Sequence, residues 1–354
     1  SDVQKIIHHH GLDEVMDALI NRLERAMKIF DDQLIDIPAR SGFHYEEPKP
    51  GLVEWMPLYT RGGQIVIKLV GYHPTNPEGY GLPTILSTIS SYDSKSGHLM
   101  GLMDGVLSTA IRTGAASAVA SRFLAHPESS TLGLIGCGAQ AVTQLHALSR
   151  VFNLKRILLY DVLPEVVSSF EDRCSALKLD VEYVSSNIRE IIETSDIVCT
   201  ATSIDVGAGP LFEGLETRPH LHVNAIGSDF PGKVELPLDL LHKSFVCPDF
   251  KAQAVEEGEC QQLEDQFIGP DILEVVRNQE KYAYTQAQLS VFDSTGWALE
   301  DKVIMELFME YAADLGLGQE IEIESIPSDA KNPYHFVEAD VKASEQPSGT
   351  LINS

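Results

Sequence analysis

Apolar and polar positions alternate with two different periods along the chain, and the change of period divides it into segments. Within residues 1–30, apolar side chains recur at helical spacing after Gly11-Leu-Asp13, which predicts an opening amphipathic helix. Between residues 37 and 99 the pattern changes to short apolar runs separated by Pro and Gly, which predicts the strands of a separate sheet. The clearest of these runs are residues 52–56, 64–70 and 84–90.

The next stretch, residues 102–124, is rich in small residues and predicts a closely packed helix with Ser108 or Thr109 as its cap. From Thr131 onward, strand-like and helix-like runs alternate, which predicts a parallel, doubly wound sheet of the Rossmann type. The predicted strands are near residues 131–135, 156–161, 181–184, 195–203, 221–227 and 289–296, and the predicted helices include 165–178, 188–194, 272–277 and 298–315.

The turn after the first of these strands has the pattern of a dinucleotide-binding site. Gly136 permits a sharp turn, Gly138 leaves room for a pyrophosphate near the backbone, and Ala141 takes the third small position. Asp161 ends the next predicted strand, where a carboxylate that binds ribose belongs. The alternative is a glycine turn in an ordinary α/β sheet, with Asp161 merely solvated.

Polar residues also follow the later strands. Thr202, Asn224 and Gly227 come at the carboxyl ends of two predicted strands, the edge at which such sheets bind ligands. Asp229 and Lys233 come directly afterwards. This order places an acid and a base next to the expected nicotinamide.

Three cations lie in or beside apolar segments. Lys68 is inside the run 64–70, Arg112 is in an otherwise uncharged run, and Arg40 lies at the edge of the first sheet. A buried guanidinium such as that of Arg112 requires an anion, which can be a substrate carboxylate, a phosphate or an internal Asp or Glu. An internal salt bridge or a plain surface charge is therefore the alternative to a binding role.

Composition limits the classes of partner. The 354 residues suffice for two domains, and a net charge of −26 disfavours nucleic acids and anionic membranes as partners. The five cysteines form no C-x-x-C pair, which favours reduced thiols over disulfides or zinc, and Cys137 is the thiol expected to be sensitive to oxidation. No signal peptide or membrane span is expected, so a cytoplasmic location is predicted. The triplet His8–His10 is assigned no function, and no metal site is predicted.

Taken together, the sequence resembles the ornithine cyclodeaminase/μ-crystallin family over nearly its whole length, and within it the bacterial lysine cyclodeaminases. The motifs that carry the resemblance, in chain order, are Glu54-Trp-Met-Pro57, Gly81-Leu-Pro-Thr-Ile-Leu86, Leu102-Met-Asp-Gly-Val-Leu107, Arg112-Thr-Gly-Ala-Ala-Ser117, Gly136-Cys-Gly-Ala-Gln140, Asn224-Ala-Ile-Gly-Ser-Asp229, Glu257-Gly-Glu-Cys-Gln-Gln-Leu263 and Val291-Phe-Asp-Ser-Thr-Gly296.

The resemblance implies a homodimer in which residues 1–112 and 303–354 form an α+β domain for substrate binding and dimerisation. Residues 113–302 would form the inserted Rossmann domain that binds NAD. It also implies a site in which Asp229 is the catalytic acid/base. The implied substrate contacts are Arg40, Glu54, Lys68, Arg112 and Thr295, and the implied NAD contacts are Thr84, Arg112, Gly136, Gly138, Ala139, Gln140, Asp161, Thr202, Asn224, Ala225, Ile226, Gly227, Lys233 and Ser294.

The implied activity is the cyclisation of an L-diamino acid with loss of ammonia, giving pipecolate from lysine or proline from ornithine. A ketimine reductase or amino acid dehydrogenase would use the same residues but would exchange its nicotinamide with solution. A ligand-binding protein of the crystallin kind is the alternative from another class. Asp229 argues against that last alternative, because binding alone needs no acid beside the nicotinamide.

Overall fold

The structure, a computed structural model, describes residues 1–335 and 337. Two sheets and the helices packed on them lie within the unit Ser1–Leu315, and a second unit begins at Gly316. Residues 336 and 338–354 lie outside the described residues. The predicted division at residues 112 and 303 stays a prediction.

The chain opens with two helices instead of the single predicted helix. Helix α1 covers Asp2–His10, and α2 covers Leu12–Lys28. They are separated by Gly11, whose φ of 90° lies outside the helical region. The histidine triplet forms the last turn of α1, where the ring of His10 stacks on Tyr311.

The first sheet is antiparallel and has six strands in the order β1-β3-β4-β5-β6, with β2 paired to β3. The three predicted runs fall in β3, β4 and β5, as expected. The last strand, β6, extends into residues predicted as helix, because its side chains alternate in burial and pair with β5. The strands are β1 Ile35–Asp36, β2 Ser41–Tyr45, β3 Gly51–Thr60, β4 Gln64–Tyr72, β5 Ile85–Asp93 and β6 Leu99–Asp104, and the short helix α3, Asn76–Tyr80, lies between β4 and β5 in the chain.

Helix α4, Val106–Leu124, begins later than predicted. Its N-cap residue is Gly105, and the carboxylate of Asp104 accepts hydrogen bonds from the backbone N–H groups of Val106 and Leu107. The prediction that Ser108 or Thr109 caps the helix was wrong, since both lie inside it and are buried. Asp104 is the stronger acceptor for the free N–H groups of the first turn.

The second sheet is parallel throughout and confirms the predicted Rossmann-type architecture. Its seven strands run in the order β12-β13-β11-β10-β7-β8-β9, so the chain changes direction across the sheet between β7 and β10. Ligands bind at such a switch point, beyond the carboxyl ends of the strands. The strands are β7 Thr131–Ile135, β8 Arg156–Tyr160, β9 Glu182–Ser185, β10 Ile197–Thr200, β11 His222–Ala225, β12 Phe245–Pro248 and β13 Ser290–Asp293.

Helices cover both faces of this sheet and bury one apolar cluster on each side. The predicted helix at 165–178 is broken into α6, α7 and a 3-10 turn at Ser175–Leu177, and β12 was not predicted. The helices are α5 Ala139–Ser149, α6 Pro164–Ser168, α7 Phe170–Cys174, α8 Ile188–Thr194, α9 Leu238–Lys243, α10 Lys251–Glu257, α11 Ile272–Arg277, α12 Gln279–Tyr282 and α13 Ala298–Asp314, with further 3-10 turns at Glu259–Gln262, Asp265–Phe267 and Ala283–Ala287.

Helix α4 connects the two sheets physically. It packs against α2, α5 and α13, and α13 packs in turn against β3 and β4. Gly114 allows the close approach of α4 to α5, because a Cβ atom there would lie 2.4 Å from the carbonyl oxygen of Thr143. No helix in the described part of the chain is both long and apolar enough to cross a membrane.

We predict that Gly114→Ala lowers the free energy of unfolding by about 1–3 kcal/mol, the usual cost of overpacking a core. The control is Gly79→Ala in α3, where an added Cβ meets no atom within 4 Å. Denaturant unfolding of both variants tests this. An unchanged midpoint for Gly114→Ala would show that α4 and α5 separate at little cost.

Candidate active site

A cleft of about 290 Å³ lies between the first sheet and the carboxyl edge of the second. Strands β3 and β4 contribute one wall, and the loops after β10, β11 and β13 contribute the other. Ten of the predicted site residues line it: Arg40, Glu54, Lys68, Arg112, Gln140, Ile226, Asp229, Lys233, Ser294 and Thr295.

Two predicted carboxylate-binding cations are paired with acids at the start of α13. Lys68 Nζ lies 3.0 Å from Asp301 Oδ1, and an Nη atom of Arg112 donates to Glu300 Oε2 at 2.5 Å. Arg112 Nε also lies 3.4 Å from Asp301 Oδ1 but donates no hydrogen bond within the described residues. The internal salt bridge left open by the sequence is therefore present, and both cations also face the cleft.

Burial shifts the titration of this cluster. Burial, and then the charge of Arg112, lowers the pKa of Lys68 to about 8. Burial raises the pKa of Glu300 to about 7, although Arg112 opposes that shift. Lys68 and Arg112 can be buried as cations because each contacts an acid, Asp301 and Glu300 respectively. Glu300 and Asp301 were missed in the sequence, since acids in the first turn of a helix are common.

The third cation, Arg40, lies at the opposite end of the cation group. Its Nε donates to Glu257 Oε1 at 2.5 Å and an Nη atom donates to the carbonyl oxygen of Asp229 at 3.0 Å. Its other Nη atom lies 3.9 Å from Glu54 Oε2. Burial raises the pKa of Glu257 to about 7, while Arg40 opposes that shift. The sequence named Glu257 only within a family motif and gave it no role.

The predicted catalytic acid, Asp229, faces the cleft and is paired with Lys233. The Lys233 Nζ to Asp229 Oδ1 distance is 2.8 Å, and the ammonium also lies 5.3 Å from the centre of the Tyr72 ring. Burial lowers the pKa of Lys233, but the charge and hydrogen bond of Asp229, together with the charges of Tyr72 and Glu235, outweigh burial, and the pKa is raised. The pair thus places a carboxylate with a cationic partner beside the substrate cleft.

The glycine turn has the geometry that a bound pyrophosphate requires. Gly136 has a φ of 88°, and a Cβ there would lie 2.6 Å from the carbonyl oxygen of Ala201. Gly138 and Ala139 are exposed, and a Cβ at Gly138 would meet no protein atom within 4 Å. No side chain caps α5, so its first N–H groups remain free for a phosphate.

Asp161 lies directly beyond β8, as predicted. Its two carboxylate oxygens accept hydrogen bonds from the backbone N–H groups of Cys137, at 2.8 Å, and Leu163, at 3.0 Å. Each oxygen keeps a further lone pair for a ribose hydroxyl. Together with the open turn, these residues fit the adenosine half of NAD.

Several predicted cofactor residues do not line the cleft. Asn224 and Ala225 are inside β11 and have no exposed surface, and the Asn224 amide donates to Ser121 Oγ at 3.0 Å. Thr84 precedes β5 and its carbonyl accepts from His73. In this structure, Asn224 and Ala225 support the cleft from inside the sheet, and their predicted contact with NAD stays a prediction.

Thr202 and Gly227 are joined by a residue that the sequence pattern missed, Glu235. Thr202 N and Oγ1 donate to Glu235 Oε1 at 2.9 and 2.6 Å, and Gly227 N donates to Oε2 at 2.9 Å. Glu235 is fully buried, and burial raises its pKa. It holds together the loops that follow β10 and β11. A lone Glu before Leu-Pro gave no sequence signal of this role.

The loop after β13 is fixed by Asp249 in the same way. Asp249 accepts hydrogen bonds from Thr295 Oγ1 at 3.0 Å and from Gly296 N at 2.6 Å. Gly296 has a φ of 77°, and a Cβ there would lie 2.4 Å from an Nη atom of Arg112. Thr295 is therefore held in a defined position on the cleft wall, close to Arg112.

The prediction of an oxidation-sensitive Cys137 was wrong. The thiol is fully buried, and burial, reinforced by Asp161, raises its pKa to about 12. The thiolate is the reactive form, so this cysteine is chemically protected. Among the described residues, no group of three or more His, Cys, Asp or Glu side chains is arranged to hold a metal ion.

Comparison with known proteins agrees with this geometry. The model of the ornithine cyclodeaminase/mu-crystallin family matches residues 3–315. L-lysine cyclodeaminase of Streptomyces rapamycinicus is 43% identical over 94% of this chain and 97% of its own.

Two solved structures share the fold. One is a lysine cyclodeaminase studied for its recognition of L-lysine, L-ornithine and L-2,4-diamino butyric acid, with a TM-score of 0.90 and 48% identity over 94% of this chain and 97% of that one. The other is an archaeal alanine dehydrogenase dimer with bound NAD, with a TM-score of 0.80 and 28% identity over 91% of this chain and 98% of that one. The chain belongs to the ornithine cyclodeaminase/mu-crystallin family.

Proposed function

We propose that this protein is an NAD-dependent cyclodeaminase that converts an L-diamino acid, lysine or ornithine, into a cyclic imino acid and ammonia. The observation that carries the proposal is the cleft itself, in which three cations and the Asp229–Lys233 pair lie beside an open dinucleotide turn. The similarity to lysine cyclodeaminase over 94% of the chain supports the same activity.

The cations give the cleft a place for the substrate α-carboxylate. Arg112 offers a planar fork, and its Nε lacks a hydrogen-bond acceptor within the described residues. Lys68 and Arg40 supply the remaining positive charge. A carboxylate held in this way has its Cα fixed, and fixed orientation is a large part of catalysis. Substrate, ring intermediate and product all share this carboxylate, so the same residues hold each of them.

Asp229 is the residue that exchanges protons with the substrate amino groups. Bound NAD would supply the acceptor for the Cα hydrogen and return it after ring closure. Asp229 takes a proton from the α-amine before that step and returns one to the nitrogen that leaves as ammonia. Lys233 donates a 2.8 Å hydrogen bond to the Asp229 carboxylate and so holds it in position beside the substrate.

An amino acid dehydrogenase is the second candidate function, and the structural similarity to an alanine dehydrogenase favours it. Such an enzyme would bind the same α-carboxylate but would release its reduced cofactor after each turnover. The presence of Glu54 at the far side of the cleft supports the diamino acid instead, because alanine has no distal amine for a carboxylate to bind.

We further propose a homodimer, with the first sheet at the subunit contact. The sheet face opposite Lys68 exposes a set of apolar side chains, which is unusual for a monomer. They are Phe43, Leu69, Leu86, Met100 and Leu102. The packing of α13 on β3 and β4 supports the assignment of residues 1–112 and of 303 onward to one substrate and dimerisation domain, with 113–302 as the NAD domain. All five cysteines are unpaired, which favours the cytoplasm.

Asp229→Asn is expected to retain the fold and NAD binding but to lower turnover by a factor on the order of 10² or more, the usual scale for a positioned acid/base. Initial rates of ammonia release and a thermal melt check this. Asp239→Asn, at an exposed acid in α9, is the matched control. Near-normal turnover of Asp229→Asn would refute the role of Asp229.

NAD is expected to bind more tightly than NADP, because the Asp161 carboxylate attracts a ribose hydroxyl and repels a 2′-phosphate. Arg173 lies beside the turn, but one of its Nη atoms already donates to the carbonyl oxygens of Cys137 and Val166. Equilibrium binding of both cofactors to the wild type and to Asp161→Ser measures the preference. In Asp161→Ser, the ratio of the NADP dissociation constant to the NAD dissociation constant should fall by roughly tenfold or more, the scale of a charged hydrogen bond. Equal affinities in the wild type would overturn the assignment.

The cyclodeaminase and the dehydrogenase differ in the fate of the Cα hydrogen. With a diamino acid and a catalytic amount of NAD, ammonia should accumulate without a matching amount of free NADH. A substrate deuterated at Cα should keep its label in the ring product, because the carboxylate clamp holds the intermediate until the hydrogen returns. Stoichiometric NADH, or loss of the label, would establish the dehydrogenase alternative.

A further inference from the structure

The distal end of the cleft contains a carboxylate and an imidazole that the steps above do not use. Glu54 Oε1 lies 2.9 Å from His44 Nε2, and both side chains line the cleft. The Glu54 side chain is 8% exposed, whereas the His44 side chain is 45% exposed. The pair therefore connects a buried carboxylate with solvent.

The register of the first sheet places this pair at the right distance from the carboxylate site. Met56 is opposite Lys68 and Glu54 is opposite Val70, so Glu54 and Lys68 lie on one face as diagonal neighbours. Diagonal neighbours in an antiparallel pair are separated by about 7–8 Å. This separation suits an extended diamino acid, with its carboxylate near Lys68 and its distal amine near Glu54.

Two further contacts show that the neighbouring residues hold Glu54 and His44 in place. Gly42 lies opposite Glu54 in β2, and a Cβ there would lie 2.6 Å from Glu54 Cγ, so the glycine leaves the room that the Glu54 side chain occupies. The His44 ring packs edge-on against Phe230, with a centroid distance of 4.8 Å. The imidazole is thereby held between Glu54 and the loop that carries Asp229.

Ring closure requires a proton to leave this end of the cleft. The distal amine of a free diamino acid is an ammonium at neutral pH, with a pKa near 10.4 as for lysine. An ammonium has no lone pair and cannot attack Cα. A base must take that proton before the ring can form.

We propose that His44 is a positioning residue that holds Glu54 and conducts to solvent the proton that the distal ammonium must lose. One proton passes from the ammonium to Glu54, from Glu54 to Nε2 of neutral His44, and from the imidazolium to water. Neutral His44 carries its own proton on Nδ1 when it accepts. After the imidazolium has released the Nδ1 proton to water, Nε2–H donates to the Glu54 carboxylate, and proton exchange with water restores the Nδ1–H tautomer before the next turnover. The ammonia that is released later takes up a proton in solution, so the overall reaction releases no net proton.

Four charged side chains lie around the His44–Glu54 pair. Arg40 lies 3.9 Å from Glu54 Oε2, and Glu257 accepts a hydrogen bond from Arg40. Asp229 and its partner Lys233 lie on the loop that contains Phe230. Arg40 is thus the cation nearest to the carboxylate that accepts the proton from the substrate.

The test compares His44→Ala with the wild type, and it rests on the proposed cyclodeaminase activity. Ammonia release from the diamino acid should fall by roughly 10- to 100-fold in His44→Ala. Added imidazole should restore a large part of the rate. On rapid mixing, the absorbance of enzyme-bound NADH should accumulate in the variant, because Cα is oxidised while ring closure is slow.

The matched control is His73→Ala. His73 lies in the same sheet region, bonds to the hydroxyl of Tyr45 at 2.7 Å and does not line the cleft. It should keep the wild-type rate and show no response to imidazole. Unchanged ammonia release by His44→Ala would overturn the proposal, as would a loss without imidazole rescue or NADH accumulation. A wild type that releases no ammonia would instead refute the proposed function.

Discussion

The buried ion cluster of Lys68, Arg112, Glu300 and Asp301 is the interaction on which the rest of the site depends. It joins β4, α4 and the first turn of α13, so three elements that are far apart in sequence meet at one point. Burying a charge costs several kcal/mol unless a partner offsets it. In this cluster the acids Glu300 and Asp301 offset the burial of Lys68 and Arg112. The two cations can therefore face the cleft before any substrate binds.

Buried acids also organise the opposite wall of the cleft. Glu235 accepts N–H groups from the loops after β10 and β11, Asp249 accepts from the loop after β13, and Asp293 accepts from Glu259 N at 2.9 Å and Cys260 N at 2.8 Å. Each carboxylate accepts hydrogen bonds from backbone N–H groups of a loop that would otherwise have no partner inside the protein. Part of the strong negative charge of the chain thus has a structural role inside the protein. Such loops can hold Thr295 and the strand ends in fixed positions.

The same arrangement explains how one cleft can distinguish the two ends of a diamino acid. In the proposed binding mode, the substrate carboxylate would lie at Lys68 and Arg112, and its amino groups would lie at Glu54 and Asp229. Opposite charges at the two ends fix the direction in which the substrate binds. The Asp229–Lys233 pair lies beside the carboxyl edge of the parallel sheet, the edge at which such sheets bind dinucleotides.

The sequence by itself determined the Rossmann-type sheet, the glycine turn and Asp161, because these depend on local periodicity and on glycine positions within a few residues. It also named the cations of the cleft, since a charge in an apolar run demands a partner. Only the tertiary structure identified those partners as Glu300, Asp301 and Glu257, because these three ion pairs join residues up to 233 positions apart and leave no periodic trace. The break at Gly11 and the start of α4 after Gly105 were likewise decided by backbone conformation and strand pairing, which helical spacing does not record.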